Sequence, residues 1–83
     1  MKFAAKIIIS LREGILDVQG KTVEKALHGI EFPMLSNVNI GKFVRLNVEA
    51  ENHEKAFELV DLASKQLIAN PIIEDYKITL EEF

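Results

Sequence analysis

Cysteine is absent from this 83-residue chain, which excludes a disulfide framework, a thiolate zinc site and a thiol nucleophile. Glycine and proline are sparse, at four and two. The glycines, at positions 14, 20, 29 and 41, form neither a G-x-x-x-x-G-K-S/T loop nor a G-x-G-x-x-G turn. Gly41-Lys42 alone is too short to cradle a phosphate. No apolar run exceeds that of Ile7-Ile8-Ile9, far short of a membrane span. Met1-Lys2-Phe3 does not resemble a secretory leader, because the apolar stretch is short and alternates with Lys. Positive charge is also in short supply. Ten Lys plus Arg against thirteen Asp plus Glu leave a formal charge of -3. Phosphate binding normally requires a basic patch, so a nucleic-acid partner is excluded. Histidine occurs only at His28 and His53, and neither has a carboxylate at a metal-holding spacing such as H-E-x-x-H. Ser10, Ser36 and Ser64 have no G-x-S-x-G context, and no acyl-transfer triad is legible. A self-sufficient enzyme is not written in this chain.

What is there is a globular composition, 48% hydrophobic and 28% charged, in a length that allows one domain over residues 1–83. A domain of this size buries only about 60% of its unfolded surface, so oligomerisation is a natural support. Phe3, Ala5, Ile7, Ile9 and Leu11 alternate with Lys2, Lys6, Ser10 and Arg12, the period of a half-buried strand. Ile8 breaks the polar face and marks a second contact surface. Val23, Ala26, Leu27 and Ile30 form the stripe of an amphipathic helix. Asp17 or Thr22 is its expected cap, with Gly29 helping to end it. A second helix starts at Asn52, with Ala56, Phe57, Val60, Ala63 and Leu67 as its stripe and Asn70-Pro71 as its stop. Tyr76, Ile78 and Leu80 alternate as a final strand.

The middle of the chain is the most informative. Val38, Ile40, Lys42, Val44, Leu46 and Val48 keep one phase across Gly41. A hairpin at Gly41-Lys42 would face Phe43, Arg45 and Asn47 into the core. A long strand kinked or bulged at Gly41 fits better. The order is βαβαβ, or βαββαβ if the long strand counts as two. The expected fold is α+β and ferredoxin-like-related, an antiparallel sheet with both helices packed on one face. An exposed edge strand then invites a second chain.

Three segments resemble a known family. Ile15-Leu16-Asp17-Val18-Gln19-Gly20-Lys21 resembles the V-L-D-P-Q-G-x signature of PurS, the small subunit of phosphoribosylformylglycinamidine (FGAM) synthase. Val38-Asn39-Ile40-Gly41-Lys42 resembles its V-R-x-G-K strand, and the run from Leu67 to Tyr76 is similar to its L-L-A-N-P-V-I-E-x-Y closing motif. Order and spacing agree from Lys6 to Ile78. Val18 stands in place of the usual Pro, Asn39 in place of Arg, and Ile30-Glu31-Phe32 in place of Leu-Gly-Phe. The resemblance implies a non-catalytic subunit in de novo purine biosynthesis, where FGAR, glutamine and ATP yield FGAM. It implies a cytoplasmic homodimer or tetramer that joins a large synthetase subunit to a glutaminase subunit and supports ammonia transfer. ATP and Mg belong to the assembled complex, with no cofactor on this chain.

Asp17, Gln19, Gly20, Gly41, Lys42, Phe43, Asn70, Pro71 and Glu74 are the candidates for the partner interface. All but Phe43 also have a plainer reading. Asp17 and Gly20 suit a capped helix start, Gly41 a close backbone approach, and Asn70-Pro71 a helix terminator. Lys42 suits a snorkelling edge lysine, and Glu74 a cross-strand partner of Lys42 or Arg45. Phe43 is the aromatic that falls on a polar face. The alternative function is an ACT-type small-molecule-binding regulatory domain, with Glu13-Gly14 as its ligand turn.

Overall fold

The alternation of Phe3, Ala5, Ile7 and Ile9 places all four on one face of the first strand, β1 (Lys2–Leu11), where each is buried. The computed structural model describes all 83 residues. β1 is flanked by β2 (Lys42–Glu49) and β3 (Glu74–Glu82) in the order β2-β1-β3, both antiparallel to it. Register brings Val44 and Ile78 to either side of Ile7. The partners therefore add their own apolar alternation to the same face, as pleat geometry demands. The expected α+β class and antiparallel sheet are present, in the βαβαβ form.

Across that face lies α2 (His53–Ala63), capped by Asn52, whose side chain accepts from the Lys55 N–H at 2.9 Å. Val60 reaches the sheet core, and Ala56, one turn before it, is buried as well. The next turn is π-helical, Ser64–Ile68. Its buried Ser64 hydroxyl donates back to the Val60 carbonyl at 2.8 Å, and the Ala69 N–H closes on the Ser64 carbonyl at 2.9 Å. A wider turn shifts the phase of the residues after it. Ala69 is buried and Leu67 is thrown outward at 87% exposure. The expected stripe is thus corrected. Ala56, Val60 and Ser64, each four residues from the last, face the sheet, whereas Phe57, Ala63 and Leu67 do not.

The other helix, α1 (Val18–Gly29), stands beside the sheet rather than on it. Val23, Ala26 and Ile30 of its apolar stripe are exposed, and only Leu27 is half-buried. The packing of both helices on one face therefore holds for α2 alone. The molecule is correspondingly long and thin, 51 × 27 × 14 Å. The long strand from Val38 is also corrected, since β2 begins only at Lys42. The Val38 and Ile40 N–H groups are taken by side-chain carboxylates instead of a neighbouring strand.

The end of α1 is not made by Gly29. Ile30 is the cap, and the Phe32 N–H donates to the Leu27 carbonyl at 3.0 Å, a Schellman closure that requires a left-handed residue between them. That residue is Glu31, at φ 76°. The left-handed backbone costs an L-residue about 1–2 kcal/mol, and glycine gives back part of it through unfolded-state entropy. Glu31→Gly is expected to stabilise the fold by about 0.5–1 kcal/mol. A thermal midpoint at or below that of the parent chain would show that the turn is not strained.

Candidate functional site

Asp17 caps α1 and does more than cap. Its Oδ1 accepts the Gly20 N–H at 2.7 Å, and its Oδ2 accepts the Ile40 N–H, also at 2.7 Å, from 23 residues away. About two turns on, Glu24 Oε1 accepts the Val38 N–H at 3.0 Å. The two carboxylates hang the segment 38–41 along the start of the helix. Two glycines make room for it. A Cβ on Gly20 would lie 2.3 Å from the Val38 carbonyl oxygen, and one on Gly41 would lie 2.5 Å from that of Ile9. The segment therefore runs between the first turn of α1 and the end of β1. Only a residue without a Cβ allows backbone this close.

The electrostatics arise from these bonds. The Ile40 N–H first, and the Gly20 N–H second, hold the Asp17 carboxyl below its ordinary range against a small opposing effect of burial. The Val38 N–H does the same for Glu24. Hydrogen bonds to a carboxylate favour its charged form.

A second carboxylate organises the other side. Glu74, buried at the start of β3, accepts the Asn70 N–H on Oε1 at 2.7 Å and places Oε2 3.4 Å from Lys42 Nζ. The Asn70 N–H lowers its carboxyl, burial opposes, and Lys42 adds to the lowering. Of the two cross-strand partners open to it, Glu74 takes Lys42 and not Arg45. Asn70 completes the turn. Its Oδ1 accepts the Ile72 N–H at 3.1 Å, and its carbonyl accepts the Glu74 N–H at 2.8 Å. The Arg12 guanidinium donates to the Pro71 carbonyl and lies 3.4 Å from Asp75 Oδ1.

Most of the residues singled out in the sequence thus meet at one end of the sheet. Asp17, Gly20 and Gly41 form one half, and Lys42, Glu74, Asn70 and Pro71 the other. At the same end of the sheet opens a cleft of about 900 Å³, lined by Ile8, Arg12, Asp17, Asn39, Gly41, Lys42 and Phe43 among others. Gln19 is exposed beside a smaller cleft that also touches Asp17, Lys42 and Glu74. Phe43 stands on the sheet face turned away from α2, 60% exposed and directly across from Ile8, and both line the larger cleft. Arg12 and Glu24 are the members that sequence reasoning missed. Arg12 reads as the polar end of an alternating strand, and its carbonyl acceptor lies 59 residues away. Glu24 reads as a solvated helix residue, and no side-chain pattern reveals a backbone target.

The chemistry open to this cluster is presentation rather than proton transfer. Its carboxylates are engaged by backbone N–H groups. No group of three or more His, Cys, Asp or Glu is placed to hold a metal ion. His53 packs edge-to-face on Phe3, with ring centroids 5.9 Å apart. His28 Nε2 donates to the Leu35 carbonyl at 2.6 Å.

Removing the clamp should be visible locally. Asp17→Ala leaves the Gly20 and Ile40 N–H groups without their acceptor, and hydrogen exchange at both amides should rise about tenfold or more. Unchanged protection of Ile40 would show that packing alone holds the segment. The folded carboxyl of Asp17 is depressed, so its contribution is complete above the unfolded value of 3.8. It is lost as pH falls through the lower folded value. In the parent chain, segment 38–41 should therefore open only in acid, whereas in Asp17→Ala it is open at neutral pH.

Comparison with known proteins agrees end to end. A family model described as PurS, phosphoribosylformylglycinamidine (FGAM) synthase, matches residues 4–82. The chain is 38% identical over 80 residues to the phosphoribosylformylglycinamidine synthase subunit PurS of Methanocaldococcus jannaschii, covering 96% of each chain. It is 35% identical to that of Bacillus subtilis, covering 96% of this chain and 94% of that one. Among solved structures it is similar to PurLQS from Thermotoga maritima, with a TM-score of 0.90 at 33% identity over 98% of this chain and 99% of that one. The crystal structure of Methanocaldococcus jannaschii PurS gives 0.88 at 36% identity, covering 98% of both. The alternative of an ACT-type regulatory domain finds no support. A chain matched over nearly its whole length by the PurS model and by PurS subunits belongs to the PurS family.

Proposed function

We propose that this chain is the small, non-catalytic subunit of a glutamine-dependent, ATP-consuming FGAM synthase, joining the synthetase to the glutaminase. In that reading FGAR, glutamine and ATP are converted to FGAM, and the small subunit keeps the two larger ones in register for ammonia to pass between them. The observation that carries it is the full-length likeness to PurS, including the chain solved within PurLQS. ATP and Mg are assigned to the synthetase rather than to this chain. The cytoplasm is the proposed compartment, on the same likeness, and no helix is long and apolar enough to cross a membrane.

The molecule is rich in surface that suits assembly. β2 and β3 are both edges of the sheet, with backbone donors and acceptors available to another chain. α1 exposes Val18 and Ile30 at 66% and 62%, an apolar flank of the kind that marks an interaction surface. A dimer or tetramer whose sheet continues between subunits would use the first of these. The cleft at Asp17, Lys42 and Glu74 offers polar contacts, with Gln19 and Lys42 as its reachable side chains.

Two measurements test this. Amidine product formation is measured with the same organism's synthetase and glutaminase, with and without this chain, first on glutamine and then on free ammonium. Glutamine-driven turnover should appear only when the chain is present; a reaction indifferent to its omission on both nitrogen sources would end the bridging assignment. The native mass at micromolar concentration should be two or more times the 9.4 kDa of one chain. A monomeric mass would remove the continuous sheet.

A further inference from the structure

The face of the sheet turned away from α2 carries a charge pattern that the fold does not explain. Register sets Lys6 on β1 directly opposite Arg45 on β2, and Ile8 between Phe43 on β2 and Lys77 on β3. Like charges directly opposite each other destabilise a sheet. None of the molecule's ion pairs relieves them: Arg12 takes Asp75, Lys42 takes Glu74, Lys55 takes Glu58 and Lys65 takes Asp61. The carboxylates of this face stand toward its ends, Asp75 paired with Arg12, Glu49 across from Lys2 and Glu81 across from Ala4, so Lys6, Arg45 and Lys77 form a central cluster without an ion-pair partner on a chain whose formal charge is -3. Beside it, Ile8 and Phe43 are 53% and 60% exposed. An apolar centre with a charged margin is the anatomy of a protein interface.

We infer that this face docks a carboxylate-bearing segment of a partner subunit, with acidic side chains seated on Lys6, Arg45 and Lys77 and an apolar side chain on Ile8 and Phe43. The inference rests on the reading of the chain as an assembly subunit and names the chemistry of its partner. Charge complementarity decides the occupant. A second copy on a two-fold axis centred here would bring the same patch against itself, stacking two cation clusters, and only a copy displaced along the strands would reach Glu49 and Glu81. A small free anion would find no enclosure at the cations, because Arg45 and Lys77 are exposed, Lys6 is half-buried, and of the patch only Ile8 and Phe43 line the cleft at the sheet end. A segment with several carboxylates satisfies all three at once. Electrostatic complementarity of this kind speeds encounter and fixes register.

The test compares the parent chain with the combined Lys6→Glu, Arg45→Glu and Lys77→Glu variant, and with Lys77→Glu and Phe43→Ser singly. Binding to the synthetase and glutaminase subunits is measured separately by surface plasmon resonance at low and high salt. Far-UV dichroism and thermal midpoint establish that each variant is folded. Should the combined variant not fold, the two single ones carry the comparison. The expected result is about tenfold or greater weakening for one subunit, with the salt dependence lost or inverted. Lys77→Glu should slow association more than it speeds dissociation, and Phe43→Ser should mainly raise the dissociation rate. Unchanged affinity and unchanged salt dependence in folded variants would overturn the inference. So would a fall in the chain's own oligomeric mass on charge reversal, which would make this a self-interface. If the parent chain binds neither subunit, it is the bridging function that fails. The patch is then judged on its own by titrating the isotopically labelled chain with a synthetic peptide of alternating Glu and Leu, and with its Lys–Leu counterpart. Amide shifts centred on Lys6, Ile8, Arg45 and Lys77, with the acidic peptide only, support it; shifts elsewhere or with both peptides sink it.

Discussion

Only β1 has a neighbour on both sides, and the interior of this protein is essentially one row of its side chains. Ala5, Ile7 and Ile9 are covered by β2 and β3 laterally and by Val60 and Ala69 from above. A slip of one residue in either pairing would turn the row outward and leave nothing to bury. That requirement explains why the alternation is strictest here, and why the flanking strands, open on their outer edges, have only half-buried apolar residues.

With so small a core, much of the remaining chain is held by carboxylates bonded to backbone N–H groups. Asp17 and Glu24 hold the segment before β2, and Glu74 holds the turn before β3. These bonds are charge-assisted and stronger than neutral ones, and each satisfies a backbone donor that has no strand partner. A further pair ties α2 to β3, where the Tyr76 hydroxyl donates to Asp61 Oδ1 at 2.6 Å. That bond, with burial, pushes the Tyr76 phenol up to about 12. An acidic composition in this chain is therefore partly structural.

The same economy leaves surface uncovered. α1 stands off the sheet with its stripe exposed, the outer edges of β2 and β3 are unpaired, and the face opposite α2 has no second layer. A larger domain would cover these with its own chain. This chain, a member of the PurS family, leaves them open.

The period of two in residues 3–11, the cap at Asn52 and the stop at Asn70-Pro71 were all legible in the chain, because each depends on neighbours a few residues apart. So was the family, through motifs whose spacing survives without any contact being known. The sequence could not say that Val38 and Ile40 would leave the strand pattern, since their N–H groups are claimed by carboxylates 14 and 23 residues away. Nor could it say that a π turn would expel Leu67, or that Glu31 and not Gly29 would take the left-handed position. The grouping of Asp17, Gly41, Lys42, Glu74 and Asn70 at one sheet end likewise arose only on folding. Local periodicity and capping were determined by the sequence itself; which helix covers the sheet, and which carboxylate finds which backbone, was decided by long-range packing that no local pattern encodes.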